Sequence, residues 1–274
     1  QQADYIPGII DGSKQWAFAF VESSSGYDLA AVGCEAVVTA EGYSLKGDKI
    51  AVLNGHSADY LVVSARTVGS GGDNSGLSLF IVDTSLPGIT LEPFTAVDGS
   101  HAANLRLDKV EVTADCVLGA AGDACTLMAT VIDYAIIAMG AEALGAMQVL
   151  LDSTVEYTRT REQFGQPIGK FQALQHRMAD MYLKVEETRS LLYNAVIRMD
   201  EGSEETPRAC AALKVKLAEA GKFVSQQAVQ LHGGIGMTDE LAVGHHFKRL
   251  LLLSKLYGDE DYHLQRYINL AAVA

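Results

Sequence analysis

The 274-residue sequence predicts an α+β fold: an N-terminal β-barrel domain followed by an antiparallel, four-helix-bundle-like domain. Three observations predict it. Up to about residue 118, short apolar runs alternate with clusters of Gly, Asn, Asp and Ser, the signature of strands and turns. Beyond about residue 120, apolar residues recur three and four apart, the period of a helix with one buried face. With 49% hydrophobic residues, the chain can bury a sizeable core, in one large domain or two ordinary ones. The change of period places the domains at 1–118 and 119–274.

In order along the chain, Val37–Thr39, Ile50–Leu53, Tyr60–Ser64, Leu77–Val82, Ile89–Glu92 and Ala103–Val112 read as strands. The stretch Gly69–Gly76 (GSGGDNSG) reads as a flexible hairpin loop. This half suits a small barrel or sandwich. Helical spacing then covers Ala124–Arg159, Phe171–Met199, Pro207–His232 and Asp239–Leu256, with Asp259–Leu270 as a short fifth helix. Pro207 suits a first helical turn, where its missing N–H is not needed. Gly233 and Gly234 close the third helix. Four long helices with short connections read as a bundle. The apolar stretch Leu127–Leu151 has the length of a membrane span, but Asp133, Glu142 and several Gly and Ala residues interrupt it, so it reads as a buried bundle helix.

Charge and cysteine content exclude several classes. A net charge of −13 argues against nucleic acid and anionic membrane surfaces as partners. Cys34, Cys116, Cys125 and Cys210 show no metal-binding or redox spacing, and read as small buried hydrophobes in a reducing, cytoplasmic setting. His245 and His246 are adjacent and so diverge on a helix, and His176 and His263 stand alone, so no metal site is expected. The chain begins with Gln and shows no signal-peptide pattern, which suggests a fragment or a processed chain.

Two segments carry chemistry. Arg161–Gly169 reads REQFGQPIG, and Gln230–Gly236 reads QLHGGIG. Arg161 alone would be a helix-end arginine that offsets the dipole. Its planar fork also matches phosphate, and a glycine pair lets bare backbone N–H groups approach an anion at a helix N-terminus. Arg161, Gln163, Gly233 and Gly234 therefore suggest a site for a phosphate-bearing cofactor, and the resemblance that follows adds Phe164 and Gln230 to this candidate set.

These segments, with Phe171–Asp180 (FQALQHRMAD), resemble the C-terminal signature of the acyl-CoA dehydrogenases. Ala17–Asp28, Leu45–Ala65 and Leu105–Val112 resemble that family's middle β-domain, so the resemblance covers essentially the whole chain. The family's N-terminal helical domain is absent from it. The resemblance implies FAD as cofactor, an acyl-CoA substrate and an acceptor of the electron-transfer flavoprotein type. It also implies that the candidate set reaches across a subunit interface to the pyrophosphate and adenine end of a partner's FAD.

At the flavin-ring end the chain departs from the family. A threonine that bonds the ring is replaced by Val21, a serine near the acyl-CoA phosphates by Tyr27, an aromatic wall by Ala51 and a hydroxyl facing the flavin by Leu53. The glutamate that serves as base is missing before Gly258, in the stretch Leu256-Tyr257-Gly258-Asp259. The alternative base position falls near Ala135, and a CoA-anchoring arginine beside it is replaced by Ile136. The catalytic residue is thus unknown. Asp133, Asp259, Glu260 and Asp261 are displaced candidates, although Asp259–Asp261 also fits the acidic start of a helix. Glu240 fits a first helical turn. Loss on one side and retention on the other implies the non-catalytic subunit of a dimeric or α2β2 enzyme, the second acyl-CoA dehydrogenase subunit carrying the base. A self-sufficient homomer with a displaced base and a flavin-free scaffold remain alternatives.

Overall fold

The structure is a computed structural model that describes residues 1–272. It divides into two compact units, Gln1–Ala129 and Thr130–Ala274. In the first, a short helix α1 (Gln2–Ile10) precedes the strands β1 (Trp16–Ala19), β2 (Glu35–Val38), β3 (Gly42–Leu53), β4 (Tyr60–Arg66), β5 (Leu77–Asp83), β6 (Ile89–Thr95), β7 (His101–Thr113) and β8 (Val117–Leu118). They form one mixed sheet in the order β6-β7-β3-β2-β4-β5-β8, with β1 parallel to β4.

The sheet curls over a single core. Tyr43 of β3 meets Phe80 of β5 edge-on at 5.1 Å, although β2 and β4 separate their strands in the pairing order. Leu105, Leu107 and Val110 of β7 share one buried cluster with Leu79, Phe80 and Val82 of β5. Register shifts in the β3–β7 ladder, between Leu45 and Gly47 and between Lys49 and Val52, supply the local bends that such curvature needs.

A buried ion pair crosses this core. Lys49 donates to the Glu22 carboxylate at 2.6 Å and to the Ser64 hydroxyl at 2.9 Å, and Glu22 also accepts the Gly33 and Cys34 N–H groups. Every charge is matched, which is the condition for burial.

The second unit begins within α2 (Ala124–Thr160) and continues through a two-residue hairpin of β9 (Glu162–Gln163) and β10 (Gln166–Pro167). Then come α3 (Gln172–Asp200), α4 (Thr206–His232), a 3-10 turn at Gly233–Met237, α5 (Ala242–Leu253) and α6 (Glu260–Ala272). α4 packs on α3, α5 and α6 and is buried along its length. At Gly140 of α2 a side chain would meet Leu213 of α4 at 3.0 Å and Leu192 of α3 at 3.3 Å, so glycine sets that close approach. Asp133 of α2 is buried in a bidentate pair with Arg266 of α6, at 2.8 and 2.9 Å. α2 is long and apolar enough to cross a membrane, but in this fold one face of it, from Ile132 to Leu150, joins the core.

The five helices lie within three residues of their expected ends. Five elements are additional: α1, β1, β8 and the hairpin strands β9 and β10. β3 starts at Gly42 instead of Ile50, because Ser44, Lys46 and Asp48 hide its first half behind polar residues. The Gly69–Gly76 loop is tied internally, with Asp73 accepting the Ser70 N–H and hydroxyl and its own carbonyl held by Arg66.

Candidate functional site

Four of the six expected binding residues converge. Arg161, Gln163, Gly233 and Gly234 line a cavity of about 610 Å³ in the helical unit, together with Tyr157, Thr160, Ile168, Leu231, His232 and Ile235. The hairpin fixes one wall. Ile168 N–H donates to the Arg161 carbonyl at 2.8 Å, and Gln163 pairs with Gln166. The Arg161 side chain is exposed and has no hydrogen-bond or ion-pair partner among the described residues. The other wall is the end of α4. Gly233 adopts φ +66°, which breaks the helix, and a side chain at Gly234 would touch nothing within 4 Å, so the backbone there is bare and open.

The glycine pair closes α4, as expected, but it does not stand just before the next α-helix: a 3-10 turn follows, and α5 starts only at Ala242. The Gly233 N–H donates back to Val229 and Gln230 carbonyls. A helix C-terminus carries partial negative charge, so attraction for an anion must come from Arg161 and the bare turn. Glu240 likewise precedes α5 instead of lying in its first turn.

Phe164 and Gln230 are outside the cavity lining. Phe164 is 91% exposed and has φ +55°, followed by Gly165 at φ +80°. A two-residue hairpin requires positive φ at both places, and a bulky residue there costs about 1–2 kcal/mol. Strain spent on an exposed ring suits a side chain that faces a ligand or partner. Gln230 is exposed on the last turn of α4. Tyr157 and His232 were missed by the sequence reading. Tyr157 was within reach of it, since it precedes Arg161 by four residues and so shares its helix face.

At the expected base position, the polar groups are used structurally. Lys214, fully buried on α4, donates to the Ser254 carbonyl at 3.0 Å and the Gly258 carbonyl at 2.6 Å. Burial pushes its pKa down to about 7. The His263 Nε2–H donates to the Tyr257 carbonyl at 2.8 Å, and burial lowers this imidazole to about 4. Gly258 has φ +113°, and a side chain there would sit 2.5 Å from His263 Nε2, so no glutamate fits at that glycine. Asp259 accepts the Tyr262 N–H at 3.1 Å, capping α6, and pairs with Lys255. The capping bond, above all, holds its carboxyl below the usual range. Asp133 is consumed by Arg266. Glu260 and Asp261 are exposed on the first turn of α6. Ala135 offers no base, and Ile136 is fully buried among apolar residues.

In the sheet unit, Val21 and Leu53 are half-buried and Tyr27 is exposed. The Ile50 N–H donates to the Val21 carbonyl at 2.9 Å. Ala51, at φ +51°, occupies the second β3 irregularity, its N–H on Asn104 Oδ1 at 3.2 Å. A cavity of about 770 Å³ borders Arg66 and the Gly69–Gly72 turn. There the guanidinium is saturated by the carbonyls of Ala30, Val32, Asp73 and Ser75. No cluster of His, Cys, Asp and Glu able to hold a metal occurs among the described residues.

Residues 17–110 match the family described as acyl-CoA dehydrogenase, middle domain, and residues 125–269 match acyl-CoA dehydrogenase, C-terminal domain. The chain is 34% identical over 260 residues to mitochondrial isovaleryl-CoA dehydrogenase of Oryza sativa subsp. japonica, covering 94% of this chain and 62% of that one. It is 32% identical over 252 residues to the short-chain specific acyl-CoA dehydrogenase of Megasphaera elsdenii, covering 90% and 65%. Among solved structures, butyryl-CoA dehydrogenase from Megasphaera elsdenii superposes with a TM-score of 0.92 at 29% identity, covering 99% of this chain and 71% of that one. The Tcur3481-Tcur3483 steroid ACAD superposes with a TM-score of 0.86 at 34% identity, with the same coverage. The chain thus spans a little under two thirds of the length of these curated relatives. It belongs to the acyl-CoA dehydrogenase family, of which it carries the middle and C-terminal domains.

Proposed function

We propose that this chain is a subunit of an FAD-dependent acyl-CoA dehydrogenase and that it supplies the adenine and pyrophosphate side of the FAD site of a partner subunit. Bound FAD supplies the hydride acceptor for α,β-dehydrogenation of an acyl-CoA thioester. This chain's own part is to hold the cofactor, through Arg161, Gln163, Phe164, Gln230, Gly233 and Gly234. The partner subunit carries the base, in a dimer or an α2β2 tetramer located in the cytoplasm, and an electron-transfer flavoprotein-type acceptor reoxidises the enzyme. The domains are 1–118 and 119–274, limits that contain both matched family segments.

One observation carries the reading. The cavity keeps an uncommitted guanidinium and an open glycine turn, while the turn at Tyr257–Gly258 has no carboxylate before its glycine and is filled by Lys214 and His263. Partner binding is supported by large apolar side chains exposed on the helices, among them Tyr134, Tyr182, Leu183, Tyr193, Ile197 and Leu251. A solved relative, the Tcur3481-Tcur3483 steroid ACAD, carries a paired designation.

The test is the subunit and flavin content of the native protein. One FAD per two unlike chains is expected. FAD-dependent turnover by this chain purified alone would replace the proposal with a self-sufficient homomer. An assembly without flavin would leave a scaffold.

A further inference from the structure

His232 lies on the wall of the same cavity and is 5% exposed. Its ring stacks on Tyr157, with centroids 4.5 Å apart and planes at 26°. Nδ1 lies 2.8 Å from the Ala228 carbonyl oxygen. A carbonyl only accepts, so Nδ1 carries the proton. Nε2 has no partner among the described residues.

This arrangement fixes the chemistry of Nε2. In the neutral ring Nε2 is a lone pair and repels an anion. Only the imidazolium, which keeps the Nδ1–H bond to Ala228, offers an Nε2–H donor. The other titratable groups on the cavity wall are Arg161, from the segment after α2, and Tyr157, from α2 itself. α4, the 3-10 turn and the hairpin add no carboxylate to it. Within the cavity, no counter-charge competes with a bound anion.

We propose that His232 is a binding residue for the phosphate groups of the ligand in this cavity, and that its contact couples binding to the uptake of one proton. Arg161 gives a charge that does not vary with pH. His232 gives one only when its ring is protonated, so cofactor retention rises on acidification. The inference rests on the proposed FAD site.

The test is reconstitution of the flavin-depleted native assembly with FAD between about pH 5.5 and about pH 8.5, a range over which the pyrophosphate diester does not titrate. Affinity followed by flavin fluorescence should tighten about tenfold from the upper to the lower pH, the size of one charge-assisted hydrogen bond. His232→Phe, which keeps the stack on Tyr157, should lose the pH dependence. His232→Gln, a neutral donor, should also bind FAD independently of pH, and stands in if the phenylalanine variant does not fold. Affinity that weakens on acidification would show that Nε2 accepts from a ligand hydroxyl or amine, and would overturn the proposal. So would an unchanged pH profile in both variants. In either case, loss of FAD on Arg161→Ala would leave the proposed cofactor site standing. Failure of the wild-type assembly to bind FAD would overturn both.

Discussion

Arg66 and Arg161 each border a cavity, and their surroundings are opposite. Arg66 is 8% exposed and donates to four backbone carbonyls, so its charge is spent on the loops it joins. Arg161 is exposed and spends none of its five donors on the described residues. The histidines differ in place and not in bonding: each holds one nitrogen on a backbone carbonyl and leaves the other without a partner among the described residues, but His263 Nδ1 is enclosed in the fold, whereas His232 lies on the cavity wall. An arginine that builds the fold has its donors taken by the chain. One that binds a ligand keeps them vacant on a rigid support. A cavity's size does not separate these cases, since the larger one belongs to the saturated arginine.

The strongest way to break the comparison is to remove the saturated arginine. Arg66→Met leaves carbonyls of Ala30, Val32, Asp73 and Ser75 without their donor. Bonds to a charged group are each worth ~1.5–3 kcal/mol and are not additive, so a loss of about 3–5 kcal/mol is expected in denaturant unfolding. Stability within about 0.5 kcal/mol of the wild type would show that Arg66 is no more structural than Arg161.

The buried histidine makes a prediction in pH. The unfolded chain takes up a proton on His263 near the ordinary value of about 6.5, and the folded chain only near 4. Between these values the unfolded state binds more protons, so acidification favours unfolding. Stability should fall as pH drops through that window, by up to about 3 kcal/mol at ~1.4 kcal/mol per pKa unit. His263→Phe should flatten the profile there. An unchanged slope in that variant would assign the acid sensitivity elsewhere.

For the open arginine the effect moves from stability to affinity. Arg161→Ala should weaken FAD binding by ~1.5–3 kcal/mol, roughly 10- to 150-fold. Because the guanidinium has no partner among the described residues, the melting temperature without cofactor should stay that of the wild type. A drop in that temperature with FAD affinity unchanged would reverse the assignment of the two arginines.

Much of this was legible in the residues themselves. The helical unit was open to reading because Ala124–Arg159, Phe171–Met199 and Pro207–His232 each carry an uninterrupted apolar period that ends on glycine or polar residues. The sheet unit was less so. Lys49 and Glu22 are buried only because they neutralise one another across the core, and no local pattern announces a tertiary ion pair. For the same reason Asp133 passes for a free carboxylate until Arg266, far along the chain, is placed against it. At the site, Arg161 and the glycines stood out through their motif. His232 lay within the motif, but its significance depends on the carbonyl that takes its Nδ1 proton. The glycine pair was legible as the end of α4, but the distance to the next helix was not, because a 3-10 turn intervenes and α5 starts only at Ala242.

The smallest expected effect tests where the base lies. Asp259→Asn preserves a side-chain acceptor for the Tyr262 N–H, and asparagine caps helices about as well as aspartate, so stability should change by only a few tenths of a kcal/mol. Its carboxyl is held below the usual range, chiefly by the Tyr262 N–H bond. A general base works best with a pKa near the operating pH, and this group is displaced away from it. Glu260→Gln and Asp261→Asn alter exposed residues on the first turn of α6. In the native assembly all three variants should therefore turn over nearly as fast as the wild type, whereas removing a true general base slows a reaction by about 10² to 10⁴. The two outcomes are far enough apart for steady-state assay at saturating substrate. If one variant loses turnover by that factor while FAD remains bound, the base is on this chain, and the division of labour between two unlike subunits is wrong.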